Sequence, residues 1–462
     1  MKSKIALIGL GYVGLPLAIL CAKKKYKVIG LDNNKEIIQK ISMGKIHFKD
    51  EKLKKNLKKV VSSGNLSVFS DFNKLKDCNI FIICVSTPVK NNKEPDLSFI
   101  NTAIKKISPF IKKGNIIVLE STVYPGVCED EIIPKLEKLS NLKVNKDFGF
   151  AYCPERVNPG DIFWNSENIP RVLGASSEKT LNNVAKFYSS ILGGPVLKIN
   201  DIKLKLKPKF KLSKKRELRI KSVPLGSITM MRSIKDAEAV KVMENTIRDV
   251  NIALVNELAK MSEVLNLDVV DIIDGMTTKP FGKGPFYPGT GVGGHCIAVD
   301  PEWLNSASKK AGYVSKFIKL SRLTNNNMPA YTVSLLKSAL KKKKLSIDGS
   351  TTVALLGVSY KKDVDDPRES PFYAIQKLLL RERLNIKVYD SYFTRNNNVK
   401  TLEDAVIKSD ALIIITDHTD IVNRLKKLNL YNLGVRIIID GRNCLDPNIF
   451  DNSGIFYKGI GR

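Results

Sequence analysis

The stretch Lys4-Ile5-Ala6-Leu7-Ile8-Gly9-Leu10-Gly11-Tyr12-Val13-Gly14-Leu15-Pro16-Leu17-Ala18 decides the fold. An apolar strand from Ile5 to Ile8 runs into glycines at Gly-x-Gly-x-x-Gly spacing and then into a helical pattern, the order a dinucleotide-binding βα turn requires. Gly9 makes the turn, Gly11 lets the backbone approach a pyrophosphate, and Gly14 lets the helix pack on the strand. The first amides of that helix then point at the phosphates. A second strand, Tyr26 to Leu31, ends at Asp32, eighteen residues beyond Gly14. A carboxylate there accepts hydrogen bonds from a ribose diol and repels a 2′-phosphate, so NAD is expected rather than NADP, although the neighbouring Lys35 works against that discrimination.

Outward from this turn, strands are expected near residues 5, 28, 67, 80, 117, 149 and 171 with helical stretches between them, giving a doubly wound α/β sheet over residues 1–200. Its ligand crevice should lie at the strand C-terminal ends. Cys84-Val85-Ser86-Thr87-Pro88, Glu120-Ser121-Thr122 and Tyr152-Cys153-Pro154-Glu155-Arg156 all fall there, although turn chemistry alone accounts for the prolines. A second block of strands, Thr352 to Gly357, Ile386 to Tyr389, Ala411 to Thr416 and Arg436 to Asp440, predicts another open α/β sheet. Loops at its strand ends carry Lys361, Arg368 and Arg442, cations suited to nucleotide phosphates or, equally, to a solvated surface.

Between the two blocks, apolar residues recur at helical spacing from Ile234 to Leu265. Lys241 and Asn245 stand one turn apart on this helix, so ammonium and amide can converge on one developing oxyanion. The alternative is an exposed lysine on an amphipathic helix. Further on, Gly291-Val292-Gly293-Gly294-His295-Cys296 sets one thiol on a glycine-rich turn, with Asp300 four residues later. Residues without a Cβ leave room for a bulky ligand near sulfur, which makes Cys296 a candidate nucleophile; a buried structural cysteine fits the same pattern.

Composition narrows the class. A chain of 462 residues buries large cores and suggests about three domains. No charged-then-apolar leader is visible and no apolar run approaches the roughly 20 residues of a membrane span, so a cytoplasmic location is expected. The cysteines at 21, 78, 84, 128, 153, 296 and 444 form an odd set without any Cys-x-x-Cys pair, which argues against a disulfide framework or a zinc site; no metal is expected. The net charge of +30 raises nucleic acid as a partner, but lysines are spread through most of the chain as on solvated helix faces. Lys203 to Lys221 is the exception, with ten basic residues against Glu217 alone. Its period-two alternation, interrupted by Pro208, suits a solvated loop or a basic arm for anionic partners.

Taken together, the ordered motifs resemble the nucleotide-sugar 6-dehydrogenase family, which includes UDP-glucose and GDP-mannose dehydrogenases. The resemblance runs through Gly-Leu-Gly-Tyr-Val-Gly-Leu-Pro, Ser-Thr-Val-Tyr-Pro-Gly, the Ala237-Glu238 to Asn245 helix, Gly-Gly-His-Cys with Asp300, and Lys361 to Pro371. Pro-Glu-Arg-Val-Asn-Pro-Gly at 154–160, Thr-Lys-Pro-Phe-Gly at 278–282 and Phe286-Tyr287-Pro288-Gly289 are similar to the UDP-N-acetylhexosamine branch, UDP-N-acetylglucosamine first and UDP-N-acetylmannosamine also. The resemblance implies two Rossmann-like domains joined by a central helical dimerisation region, and a four-electron oxidation of the sugar C6 hydroxyl by two NAD in succession. It implies that Cys296 holds the thiohemiacetal and thioester, that Lys241 and Asn245 stabilise the oxyanion, that Asp300 assists proton handling, and that Thr122 and Glu155 order the hydrolytic water. Gly9, Gly11, Tyr12, Val13, Gly14, Asp32, Val85, Thr87, Ser121 and Arg368 would hold NAD, and Tyr287, Gly293, Lys361 and Arg442 the UDP-sugar. The expected segments are 1–200 for NAD, a basic insertion at 201–230, a central helical region at 231–330 that forms a homodimer, and 331–462 for UDP. Ser86 departs from the branch, which has proline there.

Overall fold

The structure is a computed structural model that describes residues 3–48, 50–90, 94–157, 161, 163–201, 223–278, 285–294 and 296–462. The basic stretch 202–222, with its alternation and Pro208, lies outside the described residues, as do 158–160, 279–284 and 295. The chain forms two compact units, Met1–Met243 and Glu244–Arg462.

In the first unit the strands are β1 (Lys4–Ile8), β2 (Lys27–Leu31), β3 (Leu66–Phe69), β4 (Ile80–Ile83), β5 (Ile116–Leu119), β6 (Gly149–Tyr152), β7 (Arg171–Ala175), β8 (Val196–Lys198) and β9 (Ile228–Met230). They line up as β3-β2-β1-β4-β5-β6-β7-β9-β8, and the first six have the doubly wound order that reverses between β1 and β4. Strands β3 through β6 run parallel, and β7 turns antiparallel to β6. Parallel strands covered on both faces read as unbroken apolar runs, which is why Ile80 to Ile83 is buried at every position. Leu7, Leu15, Ile19, Ile82 and Val184 belong to one buried cluster with the helices on one face.

The described end of the segment 201–230 carries regular structure. Ile228–Met230 is strand β9, seated between β7 and β8 and parallel to both, with Ile228 opposite Arg171 and Val196. Three residues are too short to announce a strand in a sequence; their pairing on both sides makes one.

In the second unit, β10 (Thr352–Leu356), β11 (Asn385–Tyr389), β12 (Ala411–Ile414), β13 (Ile437–Asp440) and β14 (Phe456–Gly459) form an all-parallel sheet in the order β11-β10-β12-β13-β14. Its order reverses between β10 and β12, which places a second crevice beyond β10. The helices Val269–Thr277 and Lys316–Lys342 pack on this sheet: Val269, Ile273, Met328 and Leu336 share a buried cluster with Val353, Leu355, Ile413 and Ile439. Pro329 lies inside the second of these helices. The long helix expected from Ile234 spans Ile234–Val264. Among the described residues no helix is long and apolar enough to cross a membrane.

Candidate active site

At the end of β1, Gly9 takes φ +92° and donates its N–H to Leu31 O at 2.8 Å. A Cβ there would stand 2.7 Å from Cys84 O, and one on Gly14 would stand 1.9 Å from Gly9 O, so both glycines are fixed by the fold itself. Gly11 is different: a Cβ would meet nothing within 4 Å, so its lack of a side chain leaves open space beside the turn, where a pyrophosphate needs close backbone approach. Asp32 accepts from Leu10 N–H through Oδ2 (2.8 Å) and from Asn34 N–H through Oδ1 (2.9 Å), which anchors the partly buried carboxylate at the end of β2. These residues fit a dinucleotide. Tyr12 is exposed and stacks on Phe48 with centroids 4.6 Å apart, while Val13 and Val85 are half-buried and Thr87 is buried. Ser121 donates its hydroxyl to Val85 O at 2.7 Å, so it holds the Val85 loop in place.

On the same unit Glu155 is nearly buried. Its Oε1 accepts from Arg156 N–H (2.7 Å) and Val157 N–H (3.0 Å), and its Oε2 from Arg171 Nη2 (2.8 Å). Arg171, fully buried, also reaches Glu120 at 3.0 Å, and Glu120 accepts from Tyr188 OH. Burial pushes the Glu120 carboxyl up, partly offset by Arg171. Burial likewise lifts the Cys153 thiol to about 12, which keeps that cysteine protonated. Sequence reading missed Arg171 and Tyr188, yet an arginine opening the apolar strand β7 was the available signal. Thr122 is half-buried in the loop after β5.

Glu238, buried on the long helix, was noted only as part of a motif. Its carboxylate accepts from Gly126 N–H (2.6 Å) and Cys128 N–H (2.9 Å), tying the loop after Thr122 to the helix one turn before Lys241. Burial raises the Glu238 carboxyl above its ordinary value. Lys241 itself is buried.

In the second unit, Cys296 is exposed and Asp300, 2 % exposed, starts the helix Asp300–Lys310. Cys296 O accepts from Asp300 N–H at 2.8 Å, and Asn245 Nδ2 donates to Asp300 Oδ2 at 2.5 Å. The structure thus brings three of the expected residues together. The glycines before the cysteine do something other than clear a path to sulfur. A Cβ on Gly293 would lie 2.7 Å from Tyr360 Cβ, and one on Gly294, at φ +83°, would lie 2.7 Å from Tyr360 Cε2. They let the cysteine turn pack against Tyr360, where Gly294 N–H donates to Arg368 O at 2.9 Å.

Tyr360, to which the sequence gives no role, also lies beside Arg442. Arg442 Nη2 lies 3.4 Å from Tyr360 O, a Cβ on Gly289 would lie 2.8 Å from Arg442 Nη1, and Lys361 follows directly in the chain. Burial pushes the Tyr360 phenol up. Arg368 makes a bidentate pair with Asp366 at 2.6 to 3.1 Å. It borders a cavity of about 650 Å³ whose walls include Gly291, Val292, Asn325 and Pro371. Tyr287 is exposed and donates to Asp274.

Two nucleotide crevices, and an exposed cysteine whose turn is hydrogen-bonded to Asp300 and through it to Asn245, fit an oxidoreductase that handles a nucleotide-linked substrate. Residues 3–192 match the NAD binding domain of the UDP-glucose/GDP-mannose dehydrogenase family, 235–327 its central domain and 354–447 its UDP binding domain. The chain is 35 % identical to a UDP-N-acetyl-D-mannosamine dehydrogenase of Pyrococcus horikoshii, over 99 % of each chain. A solved structure of UDP-D-ManNAc dehydrogenase from that organism matches with a TM-score of 0.86, 35 % identity and 99 % of each chain covered. A UDP-N-acetyl-D-glucosamine 6-dehydrogenase of Pseudomonas aeruginosa is 32 % identical over 97 % of this chain and 98 % of its own. The chain belongs to the UDP-glucose/GDP-mannose dehydrogenase family.

Proposed function

We propose that the protein oxidises the C6 hydroxyl of a UDP-N-acetylhexosamine to a carboxylate, taking one sugar through two oxidations. The observation that carries this reading is the Cys296 turn, with Asp300 anchored on Cys296 O and bonded to Asn245. NAD+ held in the first crevice would supply the hydride acceptor for each of the two oxidations. Between the oxidations the Cys296 thiolate adds to the aldehyde carbon, and the adduct's oxygen becomes the oxyanion that Lys241 and Asn245 stabilise. Loss of the second hydride gives a thioester; water then breaks the carbon–sulfur bond, releasing carboxylate and thiol. Asp300 takes part in the proton transfers, and Thr122 and Glu155 order the water. Gly9, Gly11, Tyr12, Val13, Gly14, Asp32, Val85, Thr87 and Arg368 serve NAD, with Ser121 supporting Val85. Lys361 and Arg442 take the two phosphates, and Tyr287 and Gly293 border the sugar.

Relatives named for both the manno and the gluco epimer support the acetamido sugar, with the manno enzyme of P. horikoshii at the higher identity. We assign the same chain to a homodimer through its central helices. Ile247, Leu254, Met261, Phe317, Leu320 and Leu323 are all exposed on them, more apolar surface than a solvated helix pair carries. NADH formation with UDP-ManNAc, UDP-GlcNAc, UDP-GalNAc and UDP-glucose tests the substrate. Turnover of an acetamido sugar at a kcat/KM at least tenfold above UDP-glucose is expected; preference for UDP-glucose would reject it.

A further inference from the structure

The carboxylate that follows β11 is enclosed on every side. Asp390 is fully buried; its Oδ2 accepts from Val358 N–H (2.6 Å) and Ser359 N–H (2.8 Å), and its Oδ1 from Tyr392 N–H (2.6 Å) and Phe393 N–H (2.8 Å). The remaining partner is His418, also fully buried, whose Nε2 lies 3.1 Å from Oδ2. The other ring nitrogen, Nδ1, lies 2.9 Å from the backbone N–H of Asp363 and must accept from it. Nε2 therefore carries the proton and donates to Asp390. The Asp363 carboxylate accepts in turn from Thr419 N–H (2.8 Å) and from the Thr419 hydroxyl, while the Thr416 hydroxyl donates to Ser359 O. Tyr392 stacks on the imidazole with centroids 4.8 Å apart and planes 17° from parallel. Residues 416–419 thus grip both ends of the turn Ser359–Asp363, and Lys361 is its central residue.

We propose that His418 is a positioning residue of the UDP-phosphate site: by bridging Asp390 and the Asp363 backbone it holds the turn that presents Lys361 to the phosphates. The proposal rests on the reading of Lys361 as a phosphate ligand. A lysine is a point charge on a flexible stem, so its contribution depends on how firmly its backbone is placed. The position demands a group that accepts from an N–H on one side and donates to a carboxylate on the other. Histidine does both, glutamine can do both, and phenylalanine fills the space and does neither.

The test is calorimetric titration of the full-length protein with UDP, beside steady-state kinetics with the preferred UDP-sugar. His418→Phe is expected to weaken UDP binding and raise the UDP-sugar KM about tenfold, the scale of a lost hydrogen bond to a charged group. The NAD+ KM and kcat at saturating sugar stay near wild type, and His418→Gln recovers most of the loss. In a double-mutant cycle with Lys361→Ala, the effect of His418→Phe shrinks to under about twofold, because the group it positions is gone. Fully additive losses, or unchanged UDP affinity in a folded His418→Phe protein, would overturn the positioning role. If Lys361→Ala alone leaves UDP binding unchanged, the reading of Lys361 fails and takes the proposal with it, an outcome visible before the cycle is closed. Should His418→Phe not fold, Thr419→Val removes only a hydroxyl donor to Asp363, and the same coupling to Lys361 is expected, with the same additive result against it.

Discussion

Gly9 and Gly357 hold the same place in their sheets. Each follows the strand at a switch point, at φ +92° and +95°, and each donates its N–H to the residue before an aspartate, Leu31 O at 2.8 Å and Tyr389 O at 2.9 Å. From there the crevices diverge. After Gly9 the chain passes Gly11, which leaves open space beside the turn, and enters the helix Gly14–Lys23, while Asp32 is only partly buried. After Gly357 the next helix waits until Pro371–Arg381, and Asp390 is sealed by four backbone N–H groups and His418. There the proposed phosphate ligands are side-chain cations: Arg442 Nη2 lies 3.4 Å from Tyr360 O, and Lys361 is the next residue in the chain. On the proposed assignment, one turn geometry serves two ways of binding phosphate, at the glycine-rich turn and by ammonium and guanidinium, and the aspartate passes from ligand to scaffold.

The strongest attempt to break this comparison exchanges the two turn glycines. A Cβ on Gly9 meets Cys84 O at 2.7 Å and one on Gly357 meets Thr416 Cβ at 2.5 Å, both at positive φ. Gly9→Ala should cost NAD+ affinity, and Gly357→Ala UDP affinity, by about a hundredfold each, from strain plus a backbone shift. Titration of both ligands into both variants checks it, and loss of the same ligand in both would end the analogy. Next come the aspartates: Asp32→Asn is expected to raise the NAD+ KM more than tenfold, since a charged hydrogen bond to the ribose goes, and to cost about 1 kcal/mol of stability, because an amide oxygen accepts from only one of Leu10 N–H and Asn34 N–H. Asp390→Asn should lose about 1–3 kcal/mol of stability by unfolding titration with the NAD+ KM intact. Arg442→Ala is expected to weaken UDP binding about tenfold and to flatten its dependence on salt, which a salt series in calorimetry would reveal.

The smallest effect is on pH. Burial alone would raise the Asp390 carboxyl, but the hydrogen bonds from His418 and from the backbone of Ser359 and Phe393 hold it well below the usual carboxylate range. A depressed carboxyl stabilises the fold fully above its unfolded value of about 3.9, and that contribution fades as pH falls toward the folded value. The melting temperature of wild type should therefore drop a few degrees further than that of Asp390→Asn as pH falls from about 5 to 2. Parallel curves would mean that the enclosure of Asp390 is without electrostatic consequence.

The first sheet was legible because its signals are local. The strand, three glycines and terminal acid at Ile5 to Asp32 sit in one stretch, and Asp32 anchors Leu10 N–H as such a turn requires. The second sheet's first four strands were legible in the sequence, while the edge strand β14, Phe456–Gly459, is only half-buried and carries no apolar run. Cys296 was legible with Asp300, and Asn245 with Lys241; the fold adds the bond from Asn245 to Asp300. What could not be read were partners distant in sequence: Arg171 with Glu120, 51 residues apart, Tyr360 against Gly293 and Gly294, and His418 with Asp390. Each owes its role to a neighbour that only folding supplies, and none stands in a spacing that its chemistry dictates.

The most direct test of the account is stoichiometric: NADH and uronate released per UDP-N-acetylhexosamine consumed, for wild type and for Cys296→Ala. Two NADH and one uronate per sugar, with no uronate from the variant, are predicted. One NADH with a free aldehyde, or undiminished uronate from Cys296→Ala, would contradict it.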